Sequence, residues 1–167
     1  MGYSAQAVAN HFLSMADSEN EEITPLKIQK LVYIAHGWYL AVTKGQPLVD
    51  DEYVEAWQYG PVFPSLYHEF AEFGKSPITA RRALDWEFDG TTERWINWVA
   101  YIPKQDSYEQ EFIEHIWNMY KKFSPGQLST MTHEEGTPWS KILDRGTMKN
   151  AHIENSAIRE YYEGKLR

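Results

Sequence analysis

Apolar side chains occupy nearly every face of one segment, which runs from Thr24 to Gly45, and a helix that is apolar all round is a buried helix. Thr24 is a favoured N-cap residue, Pro25 suits the first helical position, and Gly45 can adopt the left-handed conformation that ends a helix. The polar exceptions form the first turn: Lys27, Gln29 and Lys30. The pattern therefore predicts a buried central helix over residues 24–44, with the other elements packed around it.

Narrower apolar stripes predict several shorter helices around this one. They run from Tyr3 to Met15, from Ser65 to Phe73, from Asp106 to Phe123, from Ser124 through Met131, from Trp139 to Leu143, and from a cap at Asn155 or Ser156 through Tyr162, with Gly164 beyond. Asp106 with Glu109, and Ser124 with Gln127, match the spacing of a capping box. Helix starts dominate the chain, and no linker-like stretch divides it. We therefore expect a mainly α fold, organised as one compact helical domain over residues 1–167.

Two segments are less clearly helical. Tyr53 to Trp57 fits either a helical turn or a short strand, because periodicity does not separate the two over so few residues. Gly60-Pro61 and Phe63-Pro64 follow, and each proline disfavours a helical conformation in the residue before it, so we expect a rigid, extended bend. Residues 84–102 alternate apolar and polar positions around an Asp89-Gly90 turn, which fits a small β-hairpin; an irregular insertion is the alternative.

Composition and charge narrow the functional class. The chain is 43% hydrophobic and 15% aromatic, which excludes a disordered chain. Its net charge of −8 disfavours nucleic acid as the main partner and favours a basic protein. The sequence contains no cysteine, and its N-terminus lacks a basic segment followed by an apolar run, so we expect a cytoplasmic protein. The apolar run of residues 24–44 is too short to span a bilayer and is interrupted by His36 and Gly37, which argues against a membrane protein.

Candidate catalytic chemistry is sparse. His36 lies inside the predicted buried helix, where a lone histidine is most often a hydrogen-bonded core residue. His133 is followed by two glutamates but lacks the i to i+4 histidine spacing of a metalloprotease helix, and the sequence has neither a glycine-rich phosphate loop nor a Gly-x-Ser-x-Gly elbow. We therefore expect no catalytic, cofactor-binding or metal-binding residues. An alternative from another class is a metal-dependent hydrolase that uses His36, His68 and His133 with nearby carboxylates.

The remaining polar and aromatic residues of interest are candidates for a partner-binding surface: Tyr59, Pro61, Tyr67, Arg81, Arg82 and His133. A rigid bend would hold Tyr59 and Tyr67 in place and so reduce the entropy lost when a partner docks. The alternative interpretation is structural, with Trp57 and Trp139 filling the core while the bend only fixes the path of the chain. The two arginines belong to residues 75–104, the segment with the fewest recognisable motifs.

Three blocks of the sequence carry distinctive motifs. Residues 24–40 read TPLKIQKLVYIAHGWYL, residues 55–67 read EAWQYGPVFPSLY, and residues 128–139 read LSTMTHEEGTPW. Together they resemble the signature blocks of the Panacea domain, a family that includes SocA-like antitoxins and GepA-type proteins associated with phages or mobile elements. The resemblance covers most of the chain. It is weak in residues 75–104, which makes this variable segment a candidate for whatever is particular to this protein.

The resemblance implies a function in binding, not catalysis. It implies an antitoxin that neutralises a cognate toxin by direct protein–protein binding, in a toxin–antitoxin or phage context. It also implies a second mechanism, in which the chain is an adaptor that delivers the toxin to a Clp-type protease. The sequence does not choose between blockade and delivery, and it leaves the identity of the toxin, the contact surface and the oligomeric state open.

Overall fold

The computed structural model describes residues 2–79, 82–144 and 150–166, and it has the mainly α architecture expected from the sequence. Its helices are α1 (Ala5–Ser18), α2 (Pro25–Val42), α3 (Pro64–Phe70, continued by a 3-10 turn over Ala71–Phe73), α4 (Ser107–Tyr120), α5 (Pro125–His133), α6 (Pro138–Asp144) and α7 (Asn155–Gly164). Its strands are β1 (Val54–Trp57), β2 (Gly60–Val62), β3 (Leu84–Asp89), β4 (Arg94–Val99) and β5 (Ala151–Ile153). Within the described ranges, no helix combines the length and apolar character needed to cross a membrane.

Helix α2 contacts most of the other helices. Thr24 Oγ1 accepts a hydrogen bond from the Lys27 amide (3.2 Å), and Pro25 occupies the first helical position, so both predicted start signals are present. Beyond the end of the helix, Lys44 and Gly45 have positive φ angles of 61° and 114°, which redirect the chain. Helices α1, α4, α5 and α7 pack against α2. Its buried apolar side chains include Ile28, Leu31, Val32, Ile34, Ala35 and Leu40.

A glycine in the middle of α2 allows α7 to approach closely. An added Cβ at Gly37 would lie 2.2 Å from Cε2 of Tyr162, a distance that atoms cannot adopt. The Tyr162 ring therefore sits directly over the backbone of α2, and it also packs edge-on against Trp38, with ring centroids 5.1 Å apart. Glycine weakens a helix by about 1 kcal/mol relative to alanine, and here close packing offsets that loss.

A three-stranded antiparallel sheet has the order β2-β1-β5. The segment that fitted either a helical turn or a strand is β1, in which Val54 and Ala56 are buried. Strand β2 follows a two-residue turn and pairs Gly60 with Trp57. Gly60 has a φ of +120°, a conformation that side-chain-bearing residues rarely adopt, so the turn requires glycine. Pairing with β1 thus gives the first half of the predicted bend a fixed, extended shape.

Strands β3 and β4 confirm the hairpin predicted within residues 84–102, since they pair antiparallel along their whole lengths. Asn10, a buried residue of α1, holds the base of this hairpin. Its Nδ2 donates hydrogen bonds to the carbonyl oxygens of Ala83 (2.9 Å) and Ala100 (2.8 Å), and its Oδ1 accepts one from the Ala83 amide (2.9 Å). One amide side chain therefore connects both ends of the hairpin to the helical part of the protein.

Local cap predictions hold where tertiary structure offers no competing partner. The capping box of Ser124 with Gln127 is present at the start of α5. The capping box predicted for Asp106 with Glu109 is wrong, because the Asp106 carboxylate accepts a hydrogen bond from the Tyr3 hydroxyl (2.6 Å) instead of capping α4. This hydrogen bond joins the start of α4 to the N-terminal segment of the chain.

The predicted cap of the last helix is also wrong. Glu154 occupies the cap position of α7, and Asn155 is the first residue of the helix. Asn155 Oδ1 lies 2.9 Å from Nε2 of His36, so its side chain contacts this buried histidine of α2 and does not cap α7. A contact between residues far apart in sequence has replaced the local interaction.

Candidate functional site

A cleft of about 550 Å³ opens beside the start of α2. Its walls come from α2, from the β1–β2 turn, and from α3 with the turn that follows it. Its principal lining residues are Leu26, Gln29, Lys30, Trp57, Tyr59 and Tyr67. Two of the three distinctive sequence blocks meet here, because residues 24–40 supply most of α2 and residues 55–67 supply the β1–β2 turn and much of α3. We refer to this candidate functional site as the α2–β2 cleft.

The β1–β2 turn presents Tyr59 to solvent at this cleft, with 69% of the residue exposed. The backbone on both sides of the turn is held by other elements. Ser129 Oγ of α5 donates a hydrogen bond to the Tyr59 carbonyl oxygen (3.2 Å), and Trp139 Nε1 of α6 donates one to the Trp57 carbonyl oxygen (2.6 Å). The exposed tyrosine ring therefore projects from a fixed backbone.

Tyr67, on α3, lines the same cleft and is half exposed (50%). Its ring packs edge-on against Trp57, with centroids 4.8 Å apart. Aromatic pairs in this geometry contribute about 0.5–1.5 kcal/mol beyond the area that they bury, so the contact restrains the Tyr67 ring. The structure thus brings together two tyrosines that the sequence identified as partner-binding candidates, on a common framework around Trp57.

Lys30 provides a buried amino group at the cleft. The residue is only 1% exposed, and its Nζ donates a hydrogen bond to the Pro61 carbonyl oxygen (3.0 Å). An added Cβ at Gly60 would lie 2.8 Å from this Nζ, so the glycine leaves room for the lysine. Burial lowers the pKa of Lys30 from 10.5 to about 7, because the charged form loses its hydration. Among the residues that the structure describes, no carboxylate lies within ion-pair distance of Lys30.

Gln29 binds the bend at a second point. Its Nε2 donates a hydrogen bond to the Phe63 carbonyl oxygen (2.8 Å), and its Oε1 accepts one from the Phe63 amide (3.0 Å). A two-bond contact of this kind satisfies both backbone groups of a buried residue. Lys30 and Gln29 therefore connect α2 to the bend two residues apart, at Pro61 and at Phe63.

The structure buries all three residues of the polar first turn, Lys27, Gln29 and Lys30. Lys27 Nζ donates to the Lys121 carbonyl oxygen at the end of α4 (2.6 Å), so it too binds backbone. The sequence contained a signal for this. Lys27, Lys30, Leu31 and Ile34 follow the i, i+3, i+4, i+7 spacing of one helix face, which places both lysines in line with core residues.

Pro61 and His133, two further predicted partner-binding residues, lie outside the exposed part of the cleft. Pro61 is buried, and it contributes its carbonyl oxygen to Lys30 and its rigid ring to the bend. His133 of α5 is half-buried, packs against Trp139 with ring centroids 5.4 Å apart, and lies 3.4 Å from Ser129 Oγ through its Nδ1. It is therefore a neighbour of the groups that support Tyr59.

The two arginine candidates are in the segment before β3. Arg82 is half-buried and forms an ion pair with Asp17 of α1. Arg81 lies outside the residues that the structure describes. Of the five candidates that the structure describes, only Tyr59 and Tyr67 are thus brought together as exposed side chains of one cleft.

The histidines of the hydrolase alternative have separate environments. His36 is buried: its Nδ1 accepts a hydrogen bond from the Val49 amide (3.2 Å), its Nε2 faces Asn155, and burial lowers its pKa to about 4, so it is neutral at pH 7. His68 is exposed on α3 beside Tyr67. Across residues 2–79, 82–144 and 150–166, no three histidine, aspartate or glutamate side chains form a group that could hold a metal ion.

The sequence that builds helix α2 and the bend matches a known protein family. The family described as "Antitoxin SocA-like, Panacea domain" matches residues 28–140, and the chain belongs to this family. Antitoxin SocA from Caulobacter vibrioides is 36% identical to it over 140 residues, which cover 84% of this chain and 70% of SocA. The resemblance identified from the three sequence blocks is confirmed. No solved structure matches the chain.

Proposed function

We propose that this protein is an antitoxin that neutralises a cognate toxin by direct protein–protein binding in the cytoplasm, in a toxin–antitoxin or phage context. The observation that carries the proposal is the match to a relative named an antitoxin, which extends over 84% of the chain. The family match over residues 28–140 includes all of the second block and all but the first four residues of the first block that build the α2–β2 cleft. The proposal therefore rests on a shared sequence in the same region that presents exposed aromatic side chains.

The geometry of the α2–β2 cleft supports binding to a partner. Tyr59 and Tyr67 are exposed, and tyrosine is among the residues that contribute most to protein interfaces. Their positions are held by hydrogen bonds to the β1–β2 turn and by the contact with Trp57. A surface whose side chains are already ordered loses less entropy on binding. We therefore propose Tyr59 and Tyr67 as toxin contacts.

The polar groups of the cleft support binding over catalysis. Lys30 and Gln29 already donate to backbone carbonyl groups of the bend, and they act there as structural residues. We propose helix α2 as the buried centre of a single domain over residues 1–167, which keeps these groups in place. Stoichiometric zinc or manganese in the purified protein would contradict this binding role and favour the metal-dependent hydrolase.

Charge indicates the kind of partner. A net charge of −8 creates a field that attracts a basic protein and repels nucleic acid and anionic lipid. An acidic antitoxin that covers a basic region of its toxin would associate quickly, and salt would weaken the association. The proposed partner is accordingly a basic toxin.

Growth rescue tests the proposal. The neighbouring gene is expressed alone and together with this chain, with an empty vector as the control. We expect the neighbour's product to arrest growth and co-expression to restore it. Continued arrest, with this chain present in folded form, would contradict the proposal. The same assay in a host without Clp protease separates the two mechanisms: rescue persists if binding blocks the toxin, and it is lost if the chain is a proteolytic adaptor.

A further inference from the structure

The hairpin formed by β3 and β4 has two chemically different faces. Directly opposed residues of an antiparallel pair share a face, and successive residues alternate between faces. The opposed pairs Leu84–Val99, Trp86–Asn97 and Phe88–Trp95 therefore form one side of the hairpin. We call these six residues the aromatic face. The opposite side carries Asp85, Glu87, Asp89, Arg94, Ile96 and Trp98.

The aromatic face is open to solvent. The exposed fractions are 54% for Trp86, 52% for Phe88, 65% for Trp95 and 52% for Val99. Single exposed apolar residues are normal in soluble proteins, but contiguous exposed apolar side chains mark sites of interaction. Tryptophan and phenylalanine are also enriched in protein interfaces. The position of these residues on one face of a paired hairpin therefore indicates a docking surface.

Hydrogen bonds fix the hairpin at both ends. Asn10 binds its base through Ala83 and Ala100, as described above. At the tip, Asp89 Oδ1 accepts a hydrogen bond from the Thr91 amide (2.9 Å), and Asp89 Oδ2 accepts one from Thr92 Oγ1 (2.7 Å). An isolated two-stranded hairpin is only marginally stable, so these anchors give the aromatic face a defined shape before a partner binds.

The charge of the hairpin, which lies on the side opposite the aromatic face and at the tip, selects the partner. Residues 84–99 contain four carboxylates (Asp85, Glu87, Asp89 and Glu93) and one cation (Arg94), which gives a net charge of −3. The hairpins of two copies of this chain would repel each other, and so would the hairpin and an anionic membrane. A protein with an apolar patch bordered by lysine and arginine side chains would gain both apolar burial and electrostatic attraction.

We propose that the aromatic face binds the toxin, at an apolar patch of the toxin surrounded by basic side chains. This inference rests on the proposed function and adds to it the contact element and the chemistry of its partner. It assigns a role to the variable segment in which the family pattern is weak. A toxin-specific surface is expected to lie in such a segment, because different partners require different side chains there.

Two matched double variants test the assignment. W86S/W95S removes both tryptophans of the aromatic face. I96S/W98S removes two apolar side chains from the opposite side of the same hairpin. Affinity is measured by calorimetry with the purified product of the adjacent gene, at about 0.05 M and about 0.5 M salt. We expect W86S/W95S to weaken binding by about 30-fold or more and I96S/W98S to change it by less than about threefold. Circular dichroism confirms that both variants remain folded.

Each outcome has a separate meaning. If both variants lose the same affinity, or if W86S/W95S binds as tightly as the wild type, the assignment is overturned. The proposed function still stands in that case, provided that the wild-type chain binds the toxin. A wild-type dimer that W86S/W95S converts to a monomer would show that a second copy occupies the face, which also overturns it. If the wild-type chain does not bind the toxin at all, the proposed function fails and the assignment fails with it. Weaker wild-type binding at high salt supports the basic partner.

Discussion

The Nζ atom of Lys30 lies 3.0 Å from the carbonyl oxygen of Pro61, and this hydrogen bond joins the two sequence blocks that define the α2–β2 cleft. The lysine reaches the carbonyl group because Gly60 has no side chain in its path. Burying the charged form of Lys30 costs free energy, because this side chain has no ion-pair partner among the described residues. A group held in this state makes stability depend on pH.

Replacing Lys30 by methionine should reveal this pH dependence. Burial lowers the pKa of Lys30 to about 7 in the folded protein, against 10.5 for an exposed lysine. Between these values the unfolded chain binds more protons, so the free energy of unfolding of the wild type rises with pH. K30M lacks this contribution. Its stability relative to the wild type should therefore decrease by about 4 kcal/mol as the pH rises from 7 to 10.5, at about 1.4 kcal/mol per pKa unit.

Chemical denaturation at a series of pH values measures this difference. The same substitution at Lys104, which is exposed, is the matched control and should show no comparable trend, since water hydrates that side chain in both states. A difference between K30M and wild type that stays constant across the range would contradict the buried position of Lys30.

Replacing Gly37 by alanine should destabilise the protein. The new Cβ would lie 2.2 Å from the Tyr162 ring, so α7 must move away from α2. Overpacking of this kind costs about 1–3 kcal/mol, which outweighs the gain of about 1 kcal/mol in helix propensity. Gly126→Ala in α5 is the control, because its Cβ would meet nothing closer than 4.0 Å, and we expect equal or higher stability there. Thermal unfolding of both variants measures the difference. A G37A protein as stable as G126A would contradict the close contact between α7 and α2 at Gly37.

Replacing Tyr33 by phenylalanine should preserve or raise stability. The Tyr33 hydroxyl is buried and has no hydrogen-bond partner in the described part of the chain. Removing an unsatisfied polar group recovers about 1 kcal/mol. Tyr39 of the same helix is the matched position, since its hydroxyl donates to Glu109 Oε1 (3.3 Å), and Y39F should lose about 1 kcal/mol. Urea unfolding of both variants distinguishes the cases, and a clear loss of stability in Y33F would show that its hydroxyl has a partner.

Several of these features could be predicted from the sequence because they depend on neighbouring residues. The helix starts at Thr24 and Ser124 could be predicted, because each cap side chain accepts a hydrogen bond from the amide three residues further along the chain. The hairpin of β3 and β4 follows from alternation of apolar and polar residues. Such signals are local, so a single sequence contains all of the information that they need.

Other features could not be predicted because they depend on distant contacts. Helical spacing places Lys30 in line with core residues, but the sequence does not show that Pro61, 31 residues away, accepts its hydrogen bond. Asp106 fits a helix cap, but Tyr3 provides a closer partner. The same limit applies to the candidate site. The sequence identified Tyr59 and Tyr67, yet only the fold shows that they share one cleft and that Pro61 is buried.

The double variant Y59A/Y67A tests whether the α2–β2 cleft contacts the toxin. Both side chains are at least half exposed, so the variant should remain folded and lose only about 1 kcal/mol of stability through the missing Tyr67–Trp57 contact. If they contact the toxin, affinity should fall by about tenfold or more, the effect of losing an interface residue worth at least about 1.4 kcal/mol. Tyr108, which is 58% exposed on α4, is the control, and Y108A should bind as the wild type does. Unchanged affinity in Y59A/Y67A would exclude the cleft as a contact.

The most direct test of the antitoxin account is calorimetric titration of the purified chain with the purified product of the adjacent gene. The account predicts saturable binding with a dissociation constant of about 1 μM or tighter, weakened by added salt because the chain carries a net charge of −8. Two folded proteins that release no heat on mixing and elute separately in size-exclusion chromatography would contradict it.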